Sequence, residues 1–428
     1  MGGTGWSPSA PSVSRMANSE GLRRLGPVDA VVIGLASMLG AGVFSAFGPA
    51  AAAAGSGVMI ALLVAGVVAY CNATSSARLA ARHPESGGTY VYGRRQLGPV
   101  WGFTAGWGFV VGKTASCAAM ALTFGAYVWQ ANPTVPAVAV VVALTAVNLL
   151  GVTRTALAAR VLLVVTLATL ALVVAAGLGG GRTQPIEPPT AGPLGILQAA
   201  GLLFFAFAGY ARITTLGGEV RDPQRTIPRA VAIALGVVLV VYATVGTTAL
   251  LVLGPDGLAR ATAPLVDVAT AGGLSAAEPV VRAGAAAACA GVLLTLIAGV
   301  GRTLSAMAAD RELPHALAAV DPRSGVPRRA ELAVGLVAVV IVLVADLRGA
   351  IGFAGVGVLV YYAVANTAAL TLRPARGWTR VVAGLGLAGC VLLVLTLPLD
   401  AVAVGAAVFA VGLAGRALRT RGPFRRPR

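Results

Sequence analysis

Apolar residues run along this chain in long unbroken blocks, and short polar, arginine-bearing segments separate them. A helix rises 1.5 Å per residue, so a bilayer crossing needs about 20 residues. Twelve blocks of suitable size fall at 27–53, 56–80, 99–129, 135–151, 158–179, 194–217, 230–253, 278–308, 330–346, 349–372, 381–397 and 401–416. The blocks at 99–129 and 278–308 exceed what a perpendicular crossing requires, which predicts tilt. Residues 1–26 are polar and rich in Ser, Gly and Pro, and read as a flexible tail without a cleavable signal. The pattern predicts an all-α integral membrane protein with twelve transmembrane helices.

Composition agrees. Of 428 residues 57% are hydrophobic and 11% charged, with a mean hydropathy of +0.85. No soluble domain hides that much apolar surface. A net charge of +17 would point to nucleic acid in a soluble chain. Here the arginines sit between the blocks, so they read as topology signals and no nucleic-acid partner is expected. Alternate connections carry Arg78, Arg82, Arg94 and Arg95; Arg221, Arg225 and Arg229; Arg311, Arg323, Arg328 and Arg329; and a basic tail over 417–428. The opposite connections hold little beyond Arg182, Arg260 and Arg348. The positive-inside rule then places both termini in the cytoplasm of a multi-pass plasma-membrane protein. Cys71, Cys117, Cys289 and Cys390 lie far apart inside apolar blocks and read as small core residues. No metal site or cofactor is expected.

Two blocks carry an interruption. The first contains Gly40-Ala41-Gly42, and each glycine costs a helix about 1 kcal/mol relative to alanine. In lipid a broken helix leaves backbone groups unpaired unless protein, water or a ligand meets them. A break there reads as a binding site whose freed N–H groups suit an anion. The alternative is a small-residue packing seam. The sixth block has Gly209 near its middle, among Phe205, Phe207 and Tyr210. Matching interruptions five blocks apart point to an inverted-repeat transporter with a site at the midplane.

Three stretches carry a family resemblance: Gly40-Ala-Gly-Val-Phe44, the loop Gly218-Glu-Val-Arg-Asp-Pro-Gln-Arg-Thr-Ile-Pro-Arg229, and Gly301-Arg-Thr-Leu-Ser-Ala-Met-Ala-Ala-Asp-Arg-Glu-Leu-Pro314. In this order they resemble signatures of amino acid permeases of the amino acid–polyamine–organocation superfamily, over roughly residues 22–372. The resemblance implies two inverted five-helix repeats, 27–179 and 194–372, in one transporter core over 27–372, followed by two further helices over 381–416. It also implies a secondary active transporter moving amino acids by alternating access. The substrate carboxylate would meet backbone N–H groups of Gly40, Ala41 and Gly42, with Ser37 one turn earlier. Its ammonium would meet carbonyls of Phe205, Ala206, Phe207 and Ala208, with Phe205 as an aromatic gate and Phe207 or Tyr210 completing the wall. Glu219 is a candidate cytoplasmic gate or a plain loop ion pair.

The acidic residues sit at or near the predicted block ends, and a buried cationic side chain without a counter-ion costs several kcal/mol. The substrate is therefore expected to be a neutral amino acid; an acidic one remains open if Lys113 or Arg212 faces the pocket. Lys113, the one lysine of the chain, lies about a dozen residues into the third block, too deep to snorkel. It reads as a coupling or charge-bearing group, with a lysine paired for structure as the alternative. The resemblance places a coupling lysine of some relatives at Thr166 and sodium-binding hydroxyls at Ala290 and Gly291, so proton coupling without sodium is expected. Exchange or uncoupled carriage are the alternatives. An enzyme is not expected, because His83 and His315 sit in loops and no carboxylate pair lies within a block. A channel is a remote alternative, since no repeated filter segment is visible. Oligomeric state is not fixed by these patterns.

Overall fold

A computed structural model describes residues 25–83, 87–151, 156–181, 183–185, 188–189, 191–215, 219–373 and 377–421, without the side chains of Ala41, Ala156, Thr420 and Arg421. Nearly all of the expected tail 1–26, the basic tail beyond 421, Arg182 and Gly218 lie outside the described residues. Among those described, regular structure is helical apart from one bridge between Leu25 and Val220. The first block is split into α1 (Pro27–Met38), α2 (Ala41–Ser45) and α3 (Phe47–Ala54). Then come α4 (Val58–Arg82), α5 (Thr89–Gln96), α6 (Pro99–Val128), α7 (Thr134–Leu149) and α8 (Ala156–Gly179). The second half contains α9 (Pro193–Phe207), a 3₁₀ turn at Ala208–Tyr210, α10 (Ala211–Thr214), α11 (Pro223–Arg260), α12 (Pro264–Ala271) and α13 (Glu278–Ala309). The chain continues through α14 (Arg328–Val344), α15 (Leu347–Leu370), α16 (Gly377–Thr396) and α17 (Leu399–Arg421). Prolines open α1, α6, α9, α11 and α12, where the missing N–H would have no helical acceptor in any case.

Ten helices among the described residues are long and apolar enough to cross a membrane. The expected blocks at 135–151 and 330–346 form the shorter α7 and α14, of 16 and 17 residues. Two elements were not foreseen as helices. Both α5 and α12 have eight residues, too few for a periodic signal in the sequence. A third difference is the start of α11 at Pro223, seven residues before the apolar block, because Asp222 and Pro223 supply a helix start inside the polar loop.

In α6, 83% of the apolar window is buried, against 11% in α17, so α6 is the axis of the bundle and α17 its rim. Helix α6 meets α15 backbone to backbone: a Cβ on Gly357 would stand 2.6 Å from the Cα of Gly112. The two ends of α6 define the two ends of the molecule, about 45 Å apart by helix rise. At the arginine-rich end Tyr90 and Arg94 of α5 bond Asp310, at 2.5 and 2.9 Å, and the Tyr92 hydroxyl donates to the Thr214 carbonyl. At the opposite end Tyr127 donates to the Phe44 carbonyl at 2.9 Å and accepts from the Leu265 N–H at 3.3 Å, fastening α12 over the break in the first helix.

Candidate functional site

The break in the first helix is a tight turn. Leu39 has φ −78° and ψ 54°, and the Gly40 N–H donates to the Met38 carbonyl at 2.8 Å, which is an inverse γ-turn. Gly40 then departs from helical backbone at φ −112° and ψ −141°, and the helix resumes at Ala41. The opening thus falls at Leu39–Gly40, at the front edge of the expected Gly40–Gly42. First-turn N–H groups have no acceptor within their own helix, so those of Ala41, Gly42 and Val43 are left free of it. The sixth helix is opened less: it tightens into the 3₁₀ turn at Ala208–Tyr210 and continues as α10. Its loosened carbonyls are nonetheless met by side chains rather than by the helix alone. The Lys113 Nζ donates to the Ala208 carbonyl at 3.1 Å, and the Tyr362 hydroxyl approaches the same oxygen at 3.4 Å. Tyr242, fully buried on α11, places its hydroxyl 2.6 Å from the Met38 carbonyl and 3.0 Å from that of Ala206, joining the two breaks.

The breaks touch across glycines. A Cβ on Gly42 would lie 2.5 Å from the Cα of Ala206, and one on Gly209 would collide with the Ser37 carbonyl. The packing seam runs through Gly42 and Gly209, next to the opened backbone at Leu39–Gly40.

Beside the breaks lies a cavity of about 540 Å³, within the range of small-molecule sites. It extends from Ser37, Gly42 and Phe205 past Ala208 to Gly87, Tyr90 and Arg302, toward the arginine-rich end. Of the residues named from the sequence, Ser37, Gly42, Lys113, Phe205, Ala206, Ala208 and Glu219 line it. Gly40 is buried against Val292. Phe207 turns away to pack edge-to-face on Tyr242, and Tyr210 stacks on Tyr362 with ring centroids 5.0 Å apart. The side chain of Ala41 lies outside those described, and Thr166 is spent on the Leu162 carbonyl of its own helix. Arg212 and Arg302 both line the cavity, where Arg302 repels Arg212 and Glu219 attracts it. Asp310 pairs with Arg94, which ties the end of α13 to α5. Tyr242 and Tyr362 escaped the sequence reading, although a phenol hydroxyl deep in an apolar block must find an acceptor and so marks irregular backbone nearby.

A family model described as amino acid permease matches residues 29–411. The chain belongs to the amino acid permease family. The match reaches beyond the stretch expected from the motifs and takes in α16 and most of α17. The permease is 60% identical over 401 residues to an uncharacterized transporter of Mycobacterium tuberculosis, covering 93% of this chain and 91% of that one. It is 24% identical to a branched-chain amino acid permease of Bacillus subtilis, over 88% of each chain. It is also 28% identical to a vacuolar cationic amino acid transporter of Arabidopsis thaliana, over 82% of this chain and 63% of that one. The permease is thus a multi-pass membrane transporter, and its relatives are transporters, not enzymes.

Proposed function

We propose that this permease carries amino acids across the plasma membrane by alternating access, with both termini cytoplasmic and the cavity opening inward. The observation that carries this reading is the γ-turn at Leu39–Gly40. It presents a fresh helix start beside the loosened carbonyls of Ala206 and Ala208, at the wall of a cavity of about 540 Å³. A positive dipole end next to a set of acceptors fits a zwitterion. The substrate carboxylate meets the backbone N–H groups of Ala41 and Gly42 near Ser37, the Gly40 N–H being spent on the Met38 carbonyl, and the ammonium meets the carbonyls of the second break, under Phe205.

Two repeats of opposite orientation, 27–179 and 194–372, form the core of twelve crossings, with α16 and α17 added. The short helices support this arrangement: α5 and α12 follow the second helix of their respective halves and lie at opposite ends of the bundle. Coupling runs through protons and Lys113, without sodium. In support, Lys113 is 6% exposed, reaches the cavity and bonds the second break, while Ala290 and Gly291 carry no hydroxyl. Lys113, Arg212 and Arg302 disfavour a cationic side chain. A neutral one, as expected from the sequence, meets that condition, and so does an acidic one, the alternative left open if Lys113 or Arg212 faces the pocket.

Uptake of a panel of labelled amino acids into proteoliposomes, with and without an inward proton gradient, tests the reading. Saturable uptake with counterflow, increased by the gradient and indifferent to sodium, is expected. Flux that never saturates, or no uptake of any amino acid, overturns it.

A further inference from the structure

We infer that the substrate of this permease carries an anionic side chain, recognised by Lys113; this rests on the amino-acid reading above and narrows it. Four charged residues are found among the described lining of the cavity: Lys113, Arg212, Arg302 and Glu219. The sum of three cations and one carboxylate is +2. None of the three cations has a carboxylate partner within ion-pair distance among the described residues. Glu219 is exposed at the mouth, and its attraction acts on Arg212.

The cations are graded in depth. Lys113 stands at the level of the break, on the Ala208 carbonyl. Arg212 is one helical turn further along the same strand of backbone. Arg302 lies ten residues along α13 from Val292, which packs on Gly40, so it is roughly 15 Å nearer the mouth. Cations lining a cleft in this order draw an anion inward and hold it at the bottom.

The decisive point is the acceptor that Lys113 occupies. A carbonyl oxygen has two lone pairs, and Ala208 already meets Lys113 and Tyr362. The Ala206 carbonyl meets Tyr242 alone among the described side chains. An α-ammonium that reaches across both carbonyls competes with the Lys113 ammonium for the Ala208 oxygen. With a neutral substrate, the displaced lysine would be left beside a second ammonium with no counter-charge. With an aspartate- or glutamate-like substrate, Lys113 leaves Ala208 to the α-ammonium and takes the side-chain carboxylate. Each charge then has an opposite neighbour in a site shielded from bulk water.

Thermal stabilisation of the purified full-length protein by L-aspartate, L-glutamate, L-asparagine, L-glutamine, L-leucine and L-lysine, titrated separately, gives an apparent affinity for each. The acids are expected to bind about tenfold or more tightly than their amide isosteres, the scale of one charge-assisted hydrogen bond. Lys113→Met should bring that ratio to about one by weakening the acids, and Lys113→Arg should keep the preference. Arg212→Gln, further from the break, should lower it by a smaller factor. Amides or leucine binding as tightly as the acids to the unaltered protein would overturn the inference and leave the amino-acid reading intact. Stabilisation by none of the six would count against the amino-acid reading itself, and this inference would go with it.

Discussion

Replacing Tyr242 by phenylalanine tests whether the two helix breaks are held by one hydroxyl. The ring stays, with its edge-to-face contact to Phe207 at 5.2 Å, so no cavity of side-chain size forms. What is lost is a single proton shared between the carbonyls of Met38 and Ala206, at 2.6 and 3.0 Å. The Met38 oxygen keeps the Gly40 N–H, so what is lost is about one buried hydrogen bond, shared with the Ala206 oxygen, worth about 0.5–1.5 kcal/mol net. The loss should therefore be about 1 kcal/mol. That is roughly a fivefold change in the unfolding equilibrium. Tyr362→Phe is the matched control. Its hydroxyl makes only one long contact, 3.4 Å from the Ala208 carbonyl, and that oxygen keeps Lys113, so the loss should stay under about 0.5 kcal/mol. Titration of the purified protein from mild detergent into a denaturing one, followed by tryptophan fluorescence, compares the three midpoints. A Tyr242→Phe midpoint equal to the unaltered protein, or no lower than that of Tyr362→Phe, would refute the reasoning.

Three further outcomes are expected. Arg416 of α17 bonds Glu312 at 2.7 Å with both side chains largely covered, so Arg416→Gln should destabilise by about 2 kcal/mol in the same titration. That is below the full penalty for a broken buried pair, because Arg94 remains 3.9 Å from Glu312. Burial raises the Asp267 carboxyl above its ordinary value, with Arg282 opposing and Glu278 adding to the shift. The folded state therefore binds the proton more tightly, and stability falls as pH climbs from the unfolded value of 3.8 through the raised folded one. Asp267→Asn should be more stable than the parent at pH 7, and the difference should vanish below pH ~3. All four native cysteines are buried, so Thr303→Cys on the cavity wall should be the reactive thiol, labelled by an impermeant maleimide only from the arginine-rich side of the membrane.

How much of this was legible in the sequence depended on the range of the force involved. Lys113 stood out because a charge at membrane depth must have a reason, whatever surrounds it. The first break was legible because Gly40 and Gly42 weaken a helix locally, yet its position was off by one or two residues. The γ-turn forms at Leu39, and Gly42 is there for contact with Ala206 inside the resumed helix. Gly209 was read as the same kind of interruption, but its backbone stays near helical and its missing side chain makes room for the Ser37 carbonyl. Helices α5 and α12 were invisible for a different reason: they are held by distant partners, Tyr92 to Thr214 and Leu265 to Tyr127. Tyr242 and Tyr362 looked like filler in apolar blocks until the carbonyls they meet were located.

The contact between the two breaks carries a last prediction, in which geometry and transport are tied together. A Cβ added at Gly42 would lie 2.5 Å from both the Cα and the Cβ of Ala206. Ordinary carbon contacts lie near 3.5–4.0 Å, so the first and sixth helices would have to part by about 1 Å. Backbone on the far side cannot turn aside as a flexible side chain can. The same displacement would stretch the Tyr242 bridge, whose longer arm of 3.0 Å would pass beyond hydrogen-bonding range. Gly42→Ala should therefore lower stability by about 1–3 kcal/mol and abolish uptake together, as overpacking does in a tight core. Gly236 on α11 meets nothing within 4 Å and faces outward, so Gly236→Ala should be neutral or raise stability by up to about 1 kcal/mol. Measured side by side, normal uptake by Gly42→Ala would mean that the breaks tolerate separation, and the close approach of the two opened helices would then have no part in transport.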